Sequence, residues 1–485
     1  MRPTFPHPLL ARLSELLATR TGLHFPTERW GDLERGIAAA APVFGMSDAE
    51  SCARWLLSAP LTRNQIEILA SHLTVGETYF FRDERSFEVL EQHILPELLH
   101  AREHADRRLR IWSVGCCTGE EPYSIAMLLD RLIPLHGDWN ATILATDINP
   151  AFLRKAAEGV YGEWSFRDTP ARIRARHFKR GKNARFEIQP RIRKRVTFSY
   201  LNLADDVYPS LTNNTNAMDV IFCRNVLMYF TAAQAKKVIE NLHRSLVDGG
   251  WLIVSPAETS NSLFSGFTAV GFPGAVFYRK PANTESADIT STCPAAAPGL
   301  LPGILSPGCL VGDAVLAVPW HEAPLLTLNP DHPASQPGER PPPEVDDSTA
   351  PSRAARTCAN QGRLAEAAEW CEQAIAADKL NPAHLYLLAT IRQEQGHHDA
   401  AVRSLMRALY LDPDFVLAHF ALGNLRLAQD RRREAERHFR NALALLQRHP
   451  RDEPLPESDG LRAGRLVEII TSVLSGLPRA AAAGA

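Results

Sequence analysis

The chain has 485 residues, of which 45% are hydrophobic, and its 53 basic and 55 acidic residues give a net charge of -2. This length allows two or three domains with ordinary cores, and the near-neutral charge excludes a global electrostatic field for nucleic acid. The eight cysteines show no C-x-x-C spacing, and no apolar run approaches the ~20 residues of a membrane helix. We therefore expect a soluble protein of a reducing, cytoplasmic compartment, without a metal site or direct membrane insertion.

The first hundred residues predict a small helical domain. Apolar residues recur at helical spacing over 9–17 and 66–73. The domain ends in LTVGETYFFRD, where we expect Phe80 and Phe81 to pack in the core. Arg82 differs, because a guanidinium beside a predicted strand junction can hold a ligand carboxylate in a bidentate pair.

The segment 111–127 reads IWSVGCCTGEEPYSIAM and predicts a strand, a tight turn and the start of a helix. Gly115 and Gly119 bracket the turn. Glycines let a backbone approach a ligand closely, and the N-terminus of the following helix presents free N–H groups. We therefore predict a site for a nucleotide-like ligand at this junction.

A second strand, 141–147, ends in Asp147, whose carboxylate can accept hydrogen bonds from both hydroxyls of a ribose. The turn after the first strand has the form G-x-x-x-G, which disfavours the dinucleotide fingerprint G-x-G-x-x-G. S-adenosylmethionine fits better, with its ammonium beside Glu120 or Glu121. The alternative for Asp147 is a solvated residue at a strand end.

Strand and helix patterns alternate from 110 to 280, with candidate strands at 109–114, 141–147, 195–200, 218–223, 250–255 and a final pair within 266–280. This alternation predicts an α/β fold with a mostly parallel sheet that is covered on both faces. The last segment predicts a hairpin around Gly271 to Gly274, which adds an antiparallel strand. Such an ending suits an S-adenosylmethionine methyltransferase better than a dehydrogenase.

The segment 219–230, DVIFCRNVLMYF, predicts a strand followed by a loop. Cys223, Arg224 and Asn225 would lie at the carboxyl end of that strand, on the sheet edge of the two preceding motifs. The alternatives are a local side-chain bond to backbone for Asn225 and core packing for Tyr229. Because three motifs converge on one crevice, we assign Arg224, Asn225 and Tyr229 to the site.

A basic insertion, 171–195, carries eleven lysines and arginines and one acidic residue, Glu187. It is suited to an acidic protein segment or to the phosphates of RNA, and the bland alternative is a solvated helix surface. Aromatic residues for base stacking are few, so we place a protein partner before RNA and expect no nucleic acid.

Residues 281–352 contain fourteen of the 35 prolines and predict a Pro/Ala-rich linker, which we expect to hold the following domain away from the first. Residues 353–449 then repeat with a period of 34, which aligns small and apolar positions: Ala367 with Ala401 and Ala435, Cys371 with Leu405 and Phe439, Ala374 with Ala408 and Ala442. This period predicts tetratricopeptide helix pairs, which offer a concave surface to a peptide or protein partner; the alternative is an irregular helical bundle. Residues 450–485 form a C-terminal tail.

On these motifs, residues 1–280 resemble the chemoreceptor glutamate methyltransferases, the CheR family, and the whole chain resembles its variants with a C-terminal tetratricopeptide domain. The motifs TVGETYFFRD, GCCTGEEPYSIAM, ATDINP, YLNL and CRNVLMYF occur in family order. The resemblance implies a helical domain, 1–100, before a Rossmann-like methyltransferase domain, 101–280. It also implies methyl transfer from S-adenosylmethionine to glutamates on the cytoplasmic helices of chemotaxis receptors, which tunes chemosensory signalling.

The resemblance places Arg82 and Tyr229 near the methyl group as catalytic, substrate-orienting residues. The candidate cofactor-binding residues are Gly76, Thr78, Arg82, Glu120, Glu121, Asp147, Asn202, Leu203, Cys223, Arg224 and Asn225. Gly76 departs from the family, which often has asparagine there, so that a side-chain contact to the ligand is missing.

The family tethers to receptors through a small β-insertion, which corresponds to residues 171–195, and we hypothesise that the repeats replace or supplement this tether. Two other functions stay open at this point. One is an RNA or small-molecule methyltransferase, and the other is a scaffold that binds cofactor with weak or no catalysis.

Overall fold

The protein is described by a computed structural model over residues 5–103, 107–133, 139–181, 183–211, 213–282, 350–451, 453–458 and 461–476. Nearly all of the predicted linker lies outside these residues. The described residues before the first strand form the α-helices α1 (His7–Thr21), α2 (Trp30–Ala40), α3 (Ala49–Leu56), α4 (Arg63–Leu73), α5 (Glu84–Val89) and α6 (Leu95–Arg102) and the loops between them. Phe80 and Phe81 are 0% and 8% exposed, which confirms that both pack in the core.

A seven-stranded sheet follows, in the order β6-β2-β1-β7-β8-β10-β9, and a small sheet has the order β3-β5-β4. The strands are β1 (Arg108–Val114), β2 (Asn140–Asp147), β3 (Val160–Tyr161), β4 (Phe178–Arg180), β5 (Phe186–Ile188), β6 (Val196–Tyr200), β7 (Met218–Cys223), β8 (Leu246–Ile253), β9 (Thr268–Phe272) and β10 (Ala275–Arg279). Strands β6, β2, β1, β7 and β8 are parallel, and β10 is antiparallel to β8 and β9. This confirms the α/β fold and the final hairpin.

The helices between these strands are α7 (Glu120–Leu132), α8 (Pro150–Glu158), α9 (Ala171–His177), α10 (Pro190–Arg193) and α11 (Ala232–Ser245). The register pairs Val114 with both Thr146 and Cys223, so β1, β2 and β7 end at the same level. Residues that follow these strands therefore meet at one edge of the sheet, as expected for a ligand crevice in an open α/β sheet.

The basic insertion folds as α9, β4, β5 and α10, and its buried residues Phe178, Phe186 and Ile188 join the main core. Some of its charges are paired within the protein: Arg174 with Glu163 at 2.7 Å and Arg191 with Asp130 at 2.5 Å. The insertion is therefore a small antiparallel sheet anchored to the larger domain.

The C-terminal region forms helix pairs: α12 (Ala350–Asn360), α13 (Leu364–Ala377), α14 (Pro382–Glu394), α15 (His398–Leu411), α16 (Val416–Ala428) and α17 (Arg432–Leu446), followed by α18 (Ala463–Gly476). We call α12–α17 the repeat array. The positions that the 34-residue period aligns are all buried, with exposures of 0–1%. The predicted tetratricopeptide pairs are thus confirmed.

The expectation that the linker holds the repeats away from the first domain is wrong. The array packs on the edge of the sheet where β1 begins: Glu394 of α14 contacts Arg110 at 2.8 Å and Arg108 at 3.3 Å, and all three side chains are at most 8% exposed. Asn216 donates to the carbonyl of Ala359 at 3.5 Å. A long linker limits only the distance between two domains, and it does not prevent buried contacts between them.

Glu394 compensates charge in this interface. Burial, and secondly the charge of Arg110, lowers the pKa of Arg108 to about 10. Loss of one partner from a buried ion pair leaves an uncompensated charge and costs about 3–5 kcal/mol.

We therefore expect Glu394→Ala to undock the array, because it leaves Arg108 and Arg110 buried without their carboxylate. Hydrogen exchange should increase in α12 and α14, while cofactor affinity is retained, because the ligand crevice lies at the other end of β1. Glu372→Ala is the control, since Glu372 is 62% exposed and pairs with Arg392 on the array surface. Equal exchange in the two variants would contradict this role of Glu394.

Candidate active site

The turn after β1 has positive φ angles at Gly115, Cys117 and Gly119. Gly115 has a φ of 65°, and a Cβ there would lie 2.5 Å from Cγ2 of Val226 in the loop after β7. Gly119, with a φ of 94°, precedes the first residue of α7. Cys117 also has a positive φ, of 50°, and its N–H donates to Asp147. The turn therefore brings the β1 backbone against the β7 loop, as only glycine allows at position 115.

Asp147 connects this turn to the end of β2. Its Oδ2 accepts from the N–H of Cys117 and its Oδ1 from the N–H of Asn149, both at 2.8 Å. The residue is 8% exposed, and burial raises the pKa of its carboxyl to about 6, although these two N–H groups lower it. The alternative of a solvated strand-end residue is therefore wrong.

The two candidate glutamates have different surroundings. Glu120 is 2% exposed and accepts from Thr118 at 2.6 Å and from Ser165 at 3.0 Å, so its carboxylate is used within the fold. Glu121 accepts from Ser113 at 2.7 Å and lies 3.3 Å from Arg224. Burial raises the pKa of both carboxyls. Only Glu121 of the two lines a cavity.

Two adjacent cavities make up the crevice, and they share the lining residues Val75, Gly115, Cys117, Asn225 and Tyr229. The first cavity lies beside Asp147 and has a volume of about 100 Å³, and the second has a volume of about 300 Å³. Its walls include the predicted residues Asn202 and Leu203. The second cavity lies beside Arg82 and includes Thr78, Glu121 and Arg224.

The N-terminal helical domain closes the first cavity. Thr21, Leu23 and Thr74 line it, and the side chain of Asn202 donates to the carbonyl of Arg20 at 2.9 Å. The carbonyl of Tyr229 accepts from the N–H of His24 at 2.8 Å. The helical domain is therefore a wall of the site.

The two arginines of the second cavity differ in charge compensation. Arg224 is 2% exposed and lies between Asp83, at 3.1 Å, and Glu121, at 3.3 Å. Arg82 donates to the carbonyl of Glu77 at 2.6 Å and makes no ion pair with any residue that the structure describes. No carboxylate in that part of the chain pairs with it directly, and the charge of Arg82 lowers the pKa of Glu121 in the same cavity, against the larger effect of burial.

Besides Glu120, two predicted cofactor residues, Cys223 and Gly76, line neither cavity. Cys223 is fully buried at the end of β7, and burial raises the pKa of its thiol. Gly76 is exposed, and a Cβ there would lie 2.8 Å from the ring of Phe152, which lines the first cavity. The absence of a side chain at Gly76 therefore admits an aromatic ring to the cavity wall.

Sequence reasoning missed two residues that hold the site together. Asn149 is fully buried. Its side-chain NH2 group donates to the hydroxyl of Thr74 at 2.8 Å, and its side-chain oxygen accepts from the N–H of Ala151 at the start of α8. The N-cap signal of asparagine before proline was available for it.

Glu258 was the other missed residue. It accepts from the N–H groups of Asn225 at 2.6 Å, Val226 at 2.7 Å and Met228 at 3.2 Å, and so fixes the loop after β7. Nothing local in the sequence indicates this, because Glu258 lies one strand later in the chain.

Within the described ranges, no group of histidine, cysteine or carboxylate side chains is suited to a metal ion. None of the helices in the same ranges is long and apolar enough to cross a membrane.

Comparison with known proteins identifies the family. The sequence profile of the CheR methyltransferase SAM-binding domain matches residues 76–273, and tetratricopeptide profiles match 385–415 and 418–454. Chemotaxis protein methyltransferase 1 of Pseudomonas aeruginosa is 37% identical over 218 residues, which cover 44% of this chain and 77% of that protein. The chain belongs to the CheR methyltransferase family.

Two further relatives differ in how much of the chain they cover. The probable biofilm formation methyltransferase WspC of Pseudomonas aeruginosa is 30% identical over 426 residues, which cover 84% of this chain and 93% of that protein. Chemotaxis protein methyltransferase 2 of Vibrio cholerae is 32% identical over 222 residues, or 46% of this chain and 75% of that protein. The likeness to WspC therefore extends over the methyltransferase domain and into the C-terminal region.

The CheR methyltransferase domain binds S-adenosylmethionine, and the residues of the crevice fit this cofactor. Each Asp147 oxygen accepts one backbone N–H, so further lone pairs are available for ribose hydroxyls. The Nε of Arg224 is buried without a hydrogen-bond partner among the described residues, and it suits a ligand carboxylate. Glu121 suits an ammonium. The crevice thus carries complementary groups for both ends of the cofactor.

The pKa of Asp147 predicts a pH dependence of cofactor binding. An ionised carboxylate accepts hydrogen bonds more strongly than a neutral carboxyl, and this carboxyl takes up a proton below about pH 6. From pH 7 to pH 5 we expect the Kd of S-adenosylmethionine to rise about tenfold, measured by calorimetry. Asp147→Asn should bind S-adenosylmethionine more weakly at pH 7, and its Kd should not show this rise between pH 7 and pH 5. Parallel pH profiles for the two proteins would assign the effect to another group, such as Glu121.

The two neighbouring glutamates give a matched test. Glu121→Gln should weaken cofactor binding about tenfold or more, because it removes the charge that faces the second cavity. Glu120→Gln should leave the Kd nearly unchanged and lower the melting temperature, because its partners Thr118 and Ser165 belong to the fold. A larger loss of affinity in the Glu120 variant would reverse this assignment.

Proposed function

We propose that the protein transfers a methyl group from S-adenosylmethionine to glutamate side chains on the cytoplasmic helices of chemotaxis receptors. The observation that carries this proposal is Arg82, whose charge has no carboxylate partner among the described residues while it lines the second cavity. A glutamate carboxylate is the complementary substrate group. Two relatives are named chemotaxis protein methyltransferases, which supports a chemotaxis protein as the substrate.

The rim of the second cavity supports a protein substrate. Met228 and Val75 are 62% and 52% exposed, and both line this cavity. Exposed apolar side chains beside a catalytic cavity are suited to the apolar surface of a protein partner.

The reaction requires alignment more than acid-base catalysis. A glutamate is ionised at neutral pH, since its reference pKa is about 4.3, so no strong general base is needed. S-adenosylmethionine, when bound, supplies an electrophilic methyl group on a sulfonium. Arg82 orients the incoming carboxylate, Tyr229 and the backbone held by Glu258 line its path, and Glu121 and Arg224 hold the amino-acid end of the cofactor. Correct positioning of reactants contributes up to about 7–11 kcal/mol.

The insertion and the array are proposed as the contacts that bring the enzyme to its receptor. The array docks where β1 begins and the crevice opens where β1 ends, so they are about 20 Å apart along one strand. The array therefore does not dock on the end of β1 where the crevice lies. A relative whose match covers 84% of this chain is named for biofilm formation, so the proposal covers the reaction and the substrate class and leaves the signalling output unassigned.

Arg82→Ala should lower turnover about 100-fold, with a smaller effect on the Kd of S-adenosylmethionine, because a misplaced reactant loses about this factor. Arg85→Ala is the charge-matched control, since Arg85 pairs with Glu88 at 2.7 Å and does not line the cavity. Unchanged turnover in the Arg82 variant would remove this residue from the mechanism.

The proposed reaction is tested by transfer of radiolabelled methyl to membranes that contain candidate receptors. A carboxyl methyl ester releases labelled methanol in base, whereas methylated nitrogen does not. Labile counts that depend on Arg82 support the proposal. Cofactor binding without labelling of any receptor, or base-stable label on RNA, would support the scaffold or the RNA enzyme instead.

A further inference from the structure

The first helix of each repeat lines one face of the array. Ser352 of α12 lies 2.8 Å from the Nδ1 of His384 in α14, and the ring of Tyr386 in α14 lies 5.3 Å from Phe415 at the start of α16. Helices α12, α14 and α16 therefore lie side by side in chain order. Stacked repeats form an extended concave binding surface in this way. We call the face of these three helices the inner face.

The segment between α17 and α18 forms a loop whose two ends are joined by backbone hydrogen bonds. The N–H of Leu455 donates to the carbonyl of Leu461 at 2.8 Å, and the N–H of Ala463 donates to that of Glu453 at 2.9 Å. The described residues 453–458 read EPLPES, an acidic and proline-rich sequence that does not form a helix. Leu455 is nevertheless only 4% exposed and belongs to the array core.

The tip of this loop contacts α12, the first helix of the array. The carboxylate of Glu457 forms an ion pair with Arg356 of α12, 101 residues earlier in the chain. The charge of Glu457 also acts on His384 of α14. Residues 453–458 therefore connect the two ends of the array, because Leu455 packs in its core and Glu457 pairs with its first helix.

We propose that the inner face is a peptide-binding groove, that residues 453–458 occupy it in the free protein, and that the partner is an acidic peptide with an apolar residue two positions before a carboxylate. Leu455 and Glu457 define this pattern, and Arg356 is its recognition residue. The proposal does not depend on the methylation reaction.

The segment is held in a way that permits exchange. Its described backbone hydrogen bonds stay within residues 450–464, so only its side chains attach it to the inner face. The pair Arg356–Glu457 is about one third exposed at both ends, and such pairs contribute little stability. Because the segment belongs to the same chain, its effective concentration at the groove is in the millimolar range. A partner binds only when the groove is open, so its apparent affinity is its intrinsic affinity multiplied by the fraction of protein with an open groove.

The test uses a fluorescein-labelled peptide, EPLPES, and the full-length protein. Fluorescence anisotropy should show that Leu455→Ala with Glu457→Ala binds the peptide at least about tenfold more tightly than wild type, because the tethered competitor is removed. Glu457→Ala alone keeps Leu455 packed in the core and should give a smaller gain in peptide affinity. This single variant therefore tests the proposal even if the double variant folds poorly.

Arg356→Ala in the opened variant should lose at least about tenfold of this affinity. Arg353→Ala is its control, because Arg353 is exposed on the same helix, about one turn earlier. Equal affinity of wild type and opened variants, no binding to any variant, or binding that is insensitive to Arg356 would each overturn the proposal.

Discussion

The site depends on one buried carboxylate, Asp147, and on its two backbone hydrogen bonds. One bond holds the turn after β1 and the other holds the chain that enters α8. Through Asn149 the same network extends to Thr74 at the end of α4. Because burial already makes the ionised carboxylate costly, these N–H groups are what keep it available as a hydrogen-bond acceptor. The nucleoside end of the crevice is thus assembled from three separate parts of the chain around a single group.

The reacting end of the crevice is organised by a second carboxylate. Glu258 accepts three N–H groups of the loop after β7, and this loop carries Arg224, Asn225 and Tyr229. Asn225 has a φ of 58°, a conformation that needs such external support. The two carboxylates have different roles. Asp147 holds the turn and strand end at the cofactor side of the crevice, and Glu258 holds the loop beside Arg82. Arg82 itself stays without a carboxylate partner in the described residues, as orientation of a substrate carboxylate requires.

The repeat array is an integral part of this enzyme rather than a tethered appendage. Glu394 lies in a buried charge cluster with Arg108 and Arg110, at the opposite end of β1 from the catalytic turn. Truncation of the array would therefore expose buried arginines in the methyltransferase domain, and loss of activity on truncation would not by itself establish a tethering role. Point changes on the inner face, such as Arg356→Ala, separate partner binding from domain stability.

The sequence by itself determined the elements and the motifs. Strand patterns, the bracketed glycine turn, Asp147 and the 34-residue period are local signals, because they depend on residue spacing and backbone conformation within one segment. Tertiary structure decided which of two adjacent glutamates faces the crevice, that Phe152 fills the space beside Gly76, and that Glu258 supports the loop from one strand later. It also decided that the array docks through Glu394 and that Glu457 pairs with Arg356 of α12. These are contacts between residues far apart in the chain, and spacing within a segment carries no information about them.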